Sequence, residues 1–88
     1  MIKIPNVFTP NNDGKNDSWV ISGLESYPNA HIWVYNRYGE MVYESIGYPK
    51  SWNGVFNNKP LPASTYYYVI KTGVIEISPM SGPVTILY

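Results

Sequence analysis

The chain has 88 residues, a formal net charge of zero, 44% hydrophobic and 14% charged residues, a balance that fits one soluble globular domain and excludes a disordered tail or a membrane span. Its six basic residues, Lys3, Lys15, Arg37, Lys50, Lys59 and Lys71, are scattered along the chain, so nothing resembles the electrostatic footprint of a nucleic-acid binder. There is no cysteine, so the fold relies on its core alone and suits an oxidising or a reducing compartment equally.

Eight prolines and seven glycines interrupt the chain and leave no stretch long enough for an amphipathic helix. The short β-branched and aromatic runs between them predict strands at Ile2–Phe8, Ser18–Ser22, His31–Arg37, Met41–Ser45, Ser64–Thr72, Val74–Ser78 and Pro83–Leu87, spaced as in a β-sandwich. The strongest local signal is "YNRYGEMVYE", where Tyr38-Gly39 separates two apolar runs and the glycine can take the positive φ of a tight turn. In His31–Arg37, alternation assigns Ile32 and Val34 to the core face and Trp33, Tyr35 and Arg37 to the other. In the fifth run both faces are largely apolar, and the pattern does not choose between Tyr66/Tyr68/Ile70 and Tyr67/Val69/Lys71. Tyr48–Ser64 reads as a long connection crossing between sheets, with Trp52 as the buried anchor that orders it.

Nine tyrosines and three tryptophans are many for this length. Tyrosine is a good strand residue and fills a thin core, which accounts for most of them; Trp19, Trp33 and Tyr67 are the candidates for exposed aromatics. Catalysis has little to stand on. There is one histidine, His31, no thiol, and Glu40 and Glu44 sit on a short hairpin where acids keep a strand soluble, so no nucleophile and base can be paired and no enzyme is expected.

The stretch "TPNNDGKND", Thr9–Asp17, concentrates oxygen-bearing side chains. Asn11, Asp13 and Asp17 around Gly14 could offer oxygens to calcium, a hard cation that wants several such ligands. The distal bidentate glutamate of an EF-hand loop is missing, and Lys15 stands where a ligand would be usual. The competing reading, a loop closed by Asx-turns whose side chains bond to backbone two residues on, is favoured. No cofactor is required by either reading, and calcium is the one to test.

In order, "IPNVFTPNNDGKND", "LESYP", "YNRYGEMVYES", "WNG", "PLPASTYYYVI" and "GPVTILY" resemble the gliding-motility-associated C-terminal domain, the type B sorting domain of the bacterial type IX secretion system. The resemblance spans Ile4 to Leu87. The family's "TPNGDGxND" matches Thr9, Pro10, Asn11, Asp13, Gly14, Asn16 and Asp17, with Asn12 in place of a glycine. Its "NRWG" matches Asn36, Arg37 and Gly39, with Tyr38 replacing tryptophan, and its "WDG" corresponds to Trp52, Asn53 and Gly54. The last hairpin, "KTGVIEISPMSGP", and the ending Leu87-Tyr88 depart from the usual glycine- and lysine-rich turn and basic terminus.

What the resemblance implies is one domain over residues 1–88 with an immunoglobulin-like antiparallel β-sandwich of about seven strands, the C-terminal part of a larger secreted protein. It implies a sorting role carried out by protein–protein recognition, with Asn11, Asp13, Gly14, Asn16, Asp17, Arg37 and Gly39 as the recognition residues. The implied partner is an outer-membrane translocon component resembling the PorP/SprF proteins, met by a monomeric domain that spans no membrane itself. The implied route is through the periplasm to the cell surface or medium. "MIKIP" has no basic region leading into an apolar core, so a secretory signal is expected elsewhere in the longer protein. The alternative function is a carbohydrate-binding or adhesive sandwich using exposed tryptophans as stacking platforms.

Overall fold

A computed structural model describes residues 2–12, 14 and 16–88. Among these residues there are seven strands and one short 3₁₀ turn, Leu24–Ser26: β1 (Val7–Phe8), β2 (His31–Tyr35), β3 (Met41–Ile46), β4 (Val55–Phe56), β5 (Lys59–Pro60), β6 (Ser64–Lys71) and β7 (Met80–Ile86). Five form one sheet in the order β1-β7-β6-β2-β3, and β4 and β5 form a separate small hairpin. All pairs are antiparallel except β1 with β7, which is parallel. No described helix is long and apolar enough to cross a membrane.

The all-β architecture is the expected one, and the period-2 pattern reads correctly on β2. Ile32 and Val34 are fully buried, while Trp33 and Tyr35 face outward. On β6 the tertiary structure makes the choice that the sequence leaves open: Tyr66 and Ile70 are buried and Tyr67 is 49% exposed. The reason is register, because Ile70 pairs with Ile32 and Tyr68 with Val34, and facing residues of neighbouring strands share one side of the sheet. At β2–β3 the register slips by one near Tyr35, and this bulge turns Val42 into the core as well.

The layer opposite the sheet is made largely of irregular chain. Ile2–Phe8 and Ser18–Ser22 do not become full strands. Beyond Val7–Phe8 they contribute two isolated bridges, Lys3 with Ser22 and Trp19 with Trp52, since Pro5 cannot donate to a ladder. Val74–Ser78 is also not a strand. It is a turn in which the Ile77 N–H donates to the Val74 carbonyl at 3.1 Å, preceded by a bend at Gly73 with φ 86°. The last strand begins at Met80 and not at Pro83. Within the long connection lies the β4–β5 hairpin, turned by Asn57 and Asn58 at φ 53° and 64°, the left-handed pair that a tight two-residue hairpin turn requires.

The core is aromatic. Trp52 is the expected anchor, 3% exposed, with the rings of Phe8, Tyr43, Trp19 and Tyr66 at centroid distances of 5.5, 5.4, 6.2 and 6.3 Å. Trp19 is not an exposed aromatic. It has no accessible surface, and its indole N–H donates to the Pro5 carbonyl at 2.8 Å, satisfying the one polar group that its burial removes from water.

Candidate functional site

Strand direction gathers the polar motifs at one end of the sheet. The Thr9–Asp17 loop leaves β1, the Asn36–Gly39 turn joins β2 to β3, Leu61–Ala63 leads into β6, and Leu87-Tyr88 follows β7. Because β1 runs parallel to β7 and β2 runs against β6, all four connections emerge at the same rim. The loop and the turn stand apart on that rim. Strands β7 and β6 lie between β1 and β2, which separates them by about 14 Å at ordinary strand spacing.

At the loop, β1 is held by Thr85 N–H to Asn6 carbonyl and Leu87 N–H to Phe8 carbonyl bonds of 2.9 and 3.1 Å. The Thr9 N–H then closes onto the Asn16 carbonyl at 2.7 Å, and the Asn11 N–H onto the Thr9 carbonyl at 2.8 Å. Asp17 accepts from the Gly14 N–H through Oδ2 at 2.9 Å, so an acidic side chain folds the loop from inside. Its other oxygen, Oδ1, is buried without a hydrogen-bond partner among the described residues. Asn12, Gly14 and Asn16 take φ of 61°, 82° and 53°. Asparagine is the non-glycine residue that best tolerates this region, which explains how Asn12 can stand where the related pattern has glycine.

Asp13, one of the three residues of the candidate calcium set, lies outside the described residues, as does Lys15. Among the described residues no three histidine or acidic side chains come together as a metal-ligating group.

At the turn, Asn36 does most of the shaping, a role not expected of it from the sequence. Its Oδ1 accepts from the N–H groups of Tyr38 and Glu40 at 2.9 and 3.0 Å, and its Nδ2 donates to Glu40 Oε1 at 2.9 Å. Gly39, at φ 81°, donates its N–H to the Asn36 carbonyl at 3.0 Å. Asparagine ahead of X-X-Gly is the signal that could have revealed it. The Arg37 guanidinium donates to the Tyr38 hydroxyl at 2.8 Å and lies 5.0 Å from the centre of that ring. Both side chains are exposed, and they wall a cleft of about 220 Å³ closed by Leu61, Pro62, Ser64 and Tyr66.

Tyr88 links the two halves of the rim. Its hydroxyl donates to the Leu61 carbonyl at 2.5 Å, and its ring borders a second cleft with Pro10, Asn12 and Asp17. Burial first, and the neighbouring Tyr88 second, raise the pKa of the Tyr66 phenol against a smaller opposing effect of Arg37. In the "WNG" motif, Gly54 sits at φ 79°, and a Cβ there would come within 3.3 Å of Ile86 and 3.5 Å of Phe8 and Pro10. Glycine at this position lets the connection lie flat under the rim.

The tryptophans offer poor sugar platforms. Trp19 and Trp52 are buried, and the one half-exposed indole, Trp33, is stacked by the His31 ring at 3.7 Å with Lys71 Nζ 5.8 Å from its centre. No curated protein and no solved structure gives a significant match to the chain. The sequence profile of one family matches residues 2–86, nearly the whole chain and both rim motifs. The chain therefore belongs to the CHU_C type IX secretion signal domain family, and with it to proteins exported through the outer membrane.

Proposed function

We propose that this domain is a C-terminal sorting signal that directs a large cargo protein through the outer membrane by protein–protein recognition, with no reaction catalysed. The observation that carries the recognition half is the shared rim: the Thr9–Asp17 loop and the Asn36–Gly39 turn emerge at the same end of one sheet, and loops held on a rigid scaffold are where recognition is ordinarily carried. Asn11, Gly14 and Asn16 present backbone and amide groups on one side, in a loop that Asp17 closes from inside, and Arg37 and Gly39 form a cationic tip on the other. Asp13, within the same loop, belongs to the proposed set by its place in the motif. The partner is a component of the secretion machinery, for which an outer-membrane protein resembling PorP/SprF is the candidate.

Residues 1–88 fused behind a signal peptide and a reporter, in a bacterium with this export system and with the partner co-expressed, should carry the reporter to the medium or surface. Retention in the periplasm would overturn the reading. Arg37→Glu and the double change Asp13→Ala/Asp17→Ala should each lower export. Arg37→Glu should do so with little change in stability, because the side chain is exposed and has no acidic partner among the described residues.

A further inference from the structure

The two edges of the five-stranded sheet differ. At one, β1 covers the backbone of Thr85 and Leu87, and the next outward position along β7 is Pro83, which has no N–H to offer. At the other lies β3, bonded to β2 alone. The Gly47 N–H donates to the Ala30 carbonyl at 2.6 Å, which sets the antiparallel alternation. Ser45 and Tyr43 turn their backbone groups toward β2, and Glu44 and Ile46 turn theirs away. Among the described residues no backbone hydrogen bond from another segment reaches Glu44 or Ile46. Two N–H donors and two carbonyl acceptors are thus left at the spacing of a strand ladder.

Beside the inner face of the same strand runs a groove of about 580 Å³ whose walls include Tyr43, Ser45, Pro49, Lys50, Asn57 and Asn58. Lys50 is the charged residue lining it, and no carboxylate pairs with Lys50 among the described residues. A strand laid along β3 would send alternate side chains into this groove. Its other side chains would lie against Ile46, which is 68% exposed, and Glu44, whose carboxylate is already engaged by His31 Nε2 at 2.7 Å.

We propose that β3 is a docking edge for an extended segment of a partner protein, which adds to the sheet as a further strand with an acidic side chain over Lys50 and an apolar one against Ile46. Main-chain hydrogen bonds supply the affinity in such pairings, and the pockets for alternate side chains supply the choice of sequence. A second copy of this chain fits less well. Symmetric pairing through β3 would bring together two Lys50-bearing grooves with no carboxylate for either. The inference rests on the reading of the domain as a protein-recognition module, and it does not depend on which machinery reads it.

Random peptides of about twelve residues displayed on phage, long enough to pair along one edge strand, can be panned against the purified domain and the recovered sequences titrated. The expected peptides alternate apolar with acidic residues, and their binding slows hydrogen exchange at the Glu44 and Ile46 amides of the unaltered domain. Ile46→Pro removes one outward N–H and should weaken binding about tenfold. Ile46→Thr keeps that N–H and should weaken it less, and Lys50→Glu should weaken acidic peptides most. Ser81→Pro, the same change on the opposite edge, should leave binding unchanged.

Recovery of no peptide, exchange that slows elsewhere but not at Glu44 and Ile46, or equal losses in Ile46→Pro and Ser81→Pro would overturn the proposal. Peptide binding of the expected kind in a domain that fails to export its reporter would uphold the edge and overturn the sorting reading alone.

Discussion

Tyr48 holds together the layer opposite the sheet, and its hydroxyl is the most informative single group to remove. Trp19 and Trp52 face each other as an antiparallel bridge, yet only one direct backbone bond joins them, Trp19 N–H to the Trp52 carbonyl at 2.8 Å. The reciprocal bond is relayed. The Trp52 N–H donates to the Tyr48 hydroxyl at 2.8 Å, and that hydroxyl donates to the Trp19 carbonyl at 2.5 Å. Tyr48→Phe keeps the ring and its edge contact with Trp19 at 6.3 Å but strands one donor and one acceptor in a partly buried site. Each unsatisfied group costs about 1–3 kcal/mol, so the variant should lose about 2–4 kcal/mol. For a domain of this size that is a fall in Tm of roughly 10–25 °C. Urea unfolding followed by tryptophan fluorescence reads it directly, since Trp19 and Trp52 flank the lesion, and the slope should stay unchanged while the midpoint falls. Tyr67→Phe, on the exposed face, is the control and should stay within about 0.5 kcal/mol of the parent. A loss below about 0.5 kcal/mol in Tyr48→Phe would mean that the two backbones close up and bond directly, and the relay would then contribute nothing.

The same hydroxyl gives a pH prediction. Burial raises the Tyr48 phenol well above 10.0 and raises Tyr43, Tyr66 and Tyr68 in the same direction, so the unfolded chain ionises first. Stability should hold below pH 10 and fall above it, less steeply in Tyr48→Phe; denaturation midpoints from pH 8 to 11 that show no fall would contradict this. Gly82→Ala would place a Cβ 2.9 Å from the Tyr68 hydroxyl and 3.2 Å from its ring, and should cost about 1–3 kcal/mol through overpacking; a more stable variant in thermal melts would refute that reading. Asn36→Ala removes the three side-chain bonds that shape the turn and should cost about 1 kcal/mol, with faster amide exchange confined to Asn36–Glu40 and export reduced. Because Asp17 closes its loop on the Gly14 N–H, millimolar calcium is expected to leave Tm unchanged; a rise of several degrees would make Asp13 and Asp17 ligands, since a cation bound only by the folded state stabilises it.

What could be read without coordinates was whatever depends on neighbours in the chain. The alternation in "HIWVY" carries the inward face of β2, "NRYG" carries a turn with Gly39 at positive φ, and a tryptophan in a long connection carries an anchor. What went unread depends on distant segments. Pro83 and Gly82 look like interruptions, yet they sit inside β7 because Pro83 faces an open edge and Gly82 lies under the Tyr68 ring. Val74–Ser78 has the composition of a strand but no neighbour to pair with. "FNNK" is a hairpin signal that the surrounding prolines obscured.

The two motifs proposed for recognition followed the same division. Sequence alone identified the Thr9–Asp17 loop and the Arg37–Gly39 turn as special, because asparagine, aspartate and glycine at such spacing serve local backbone conformations that any fold would need them for. Only the tertiary structure decided that both stand on one rim, that Trp19 is core, and that β3 lies at an edge with Glu44 and Ile46 turned outward. Strand order and pairing direction are set by contacts between residues far apart in the chain, and no local pattern encodes them.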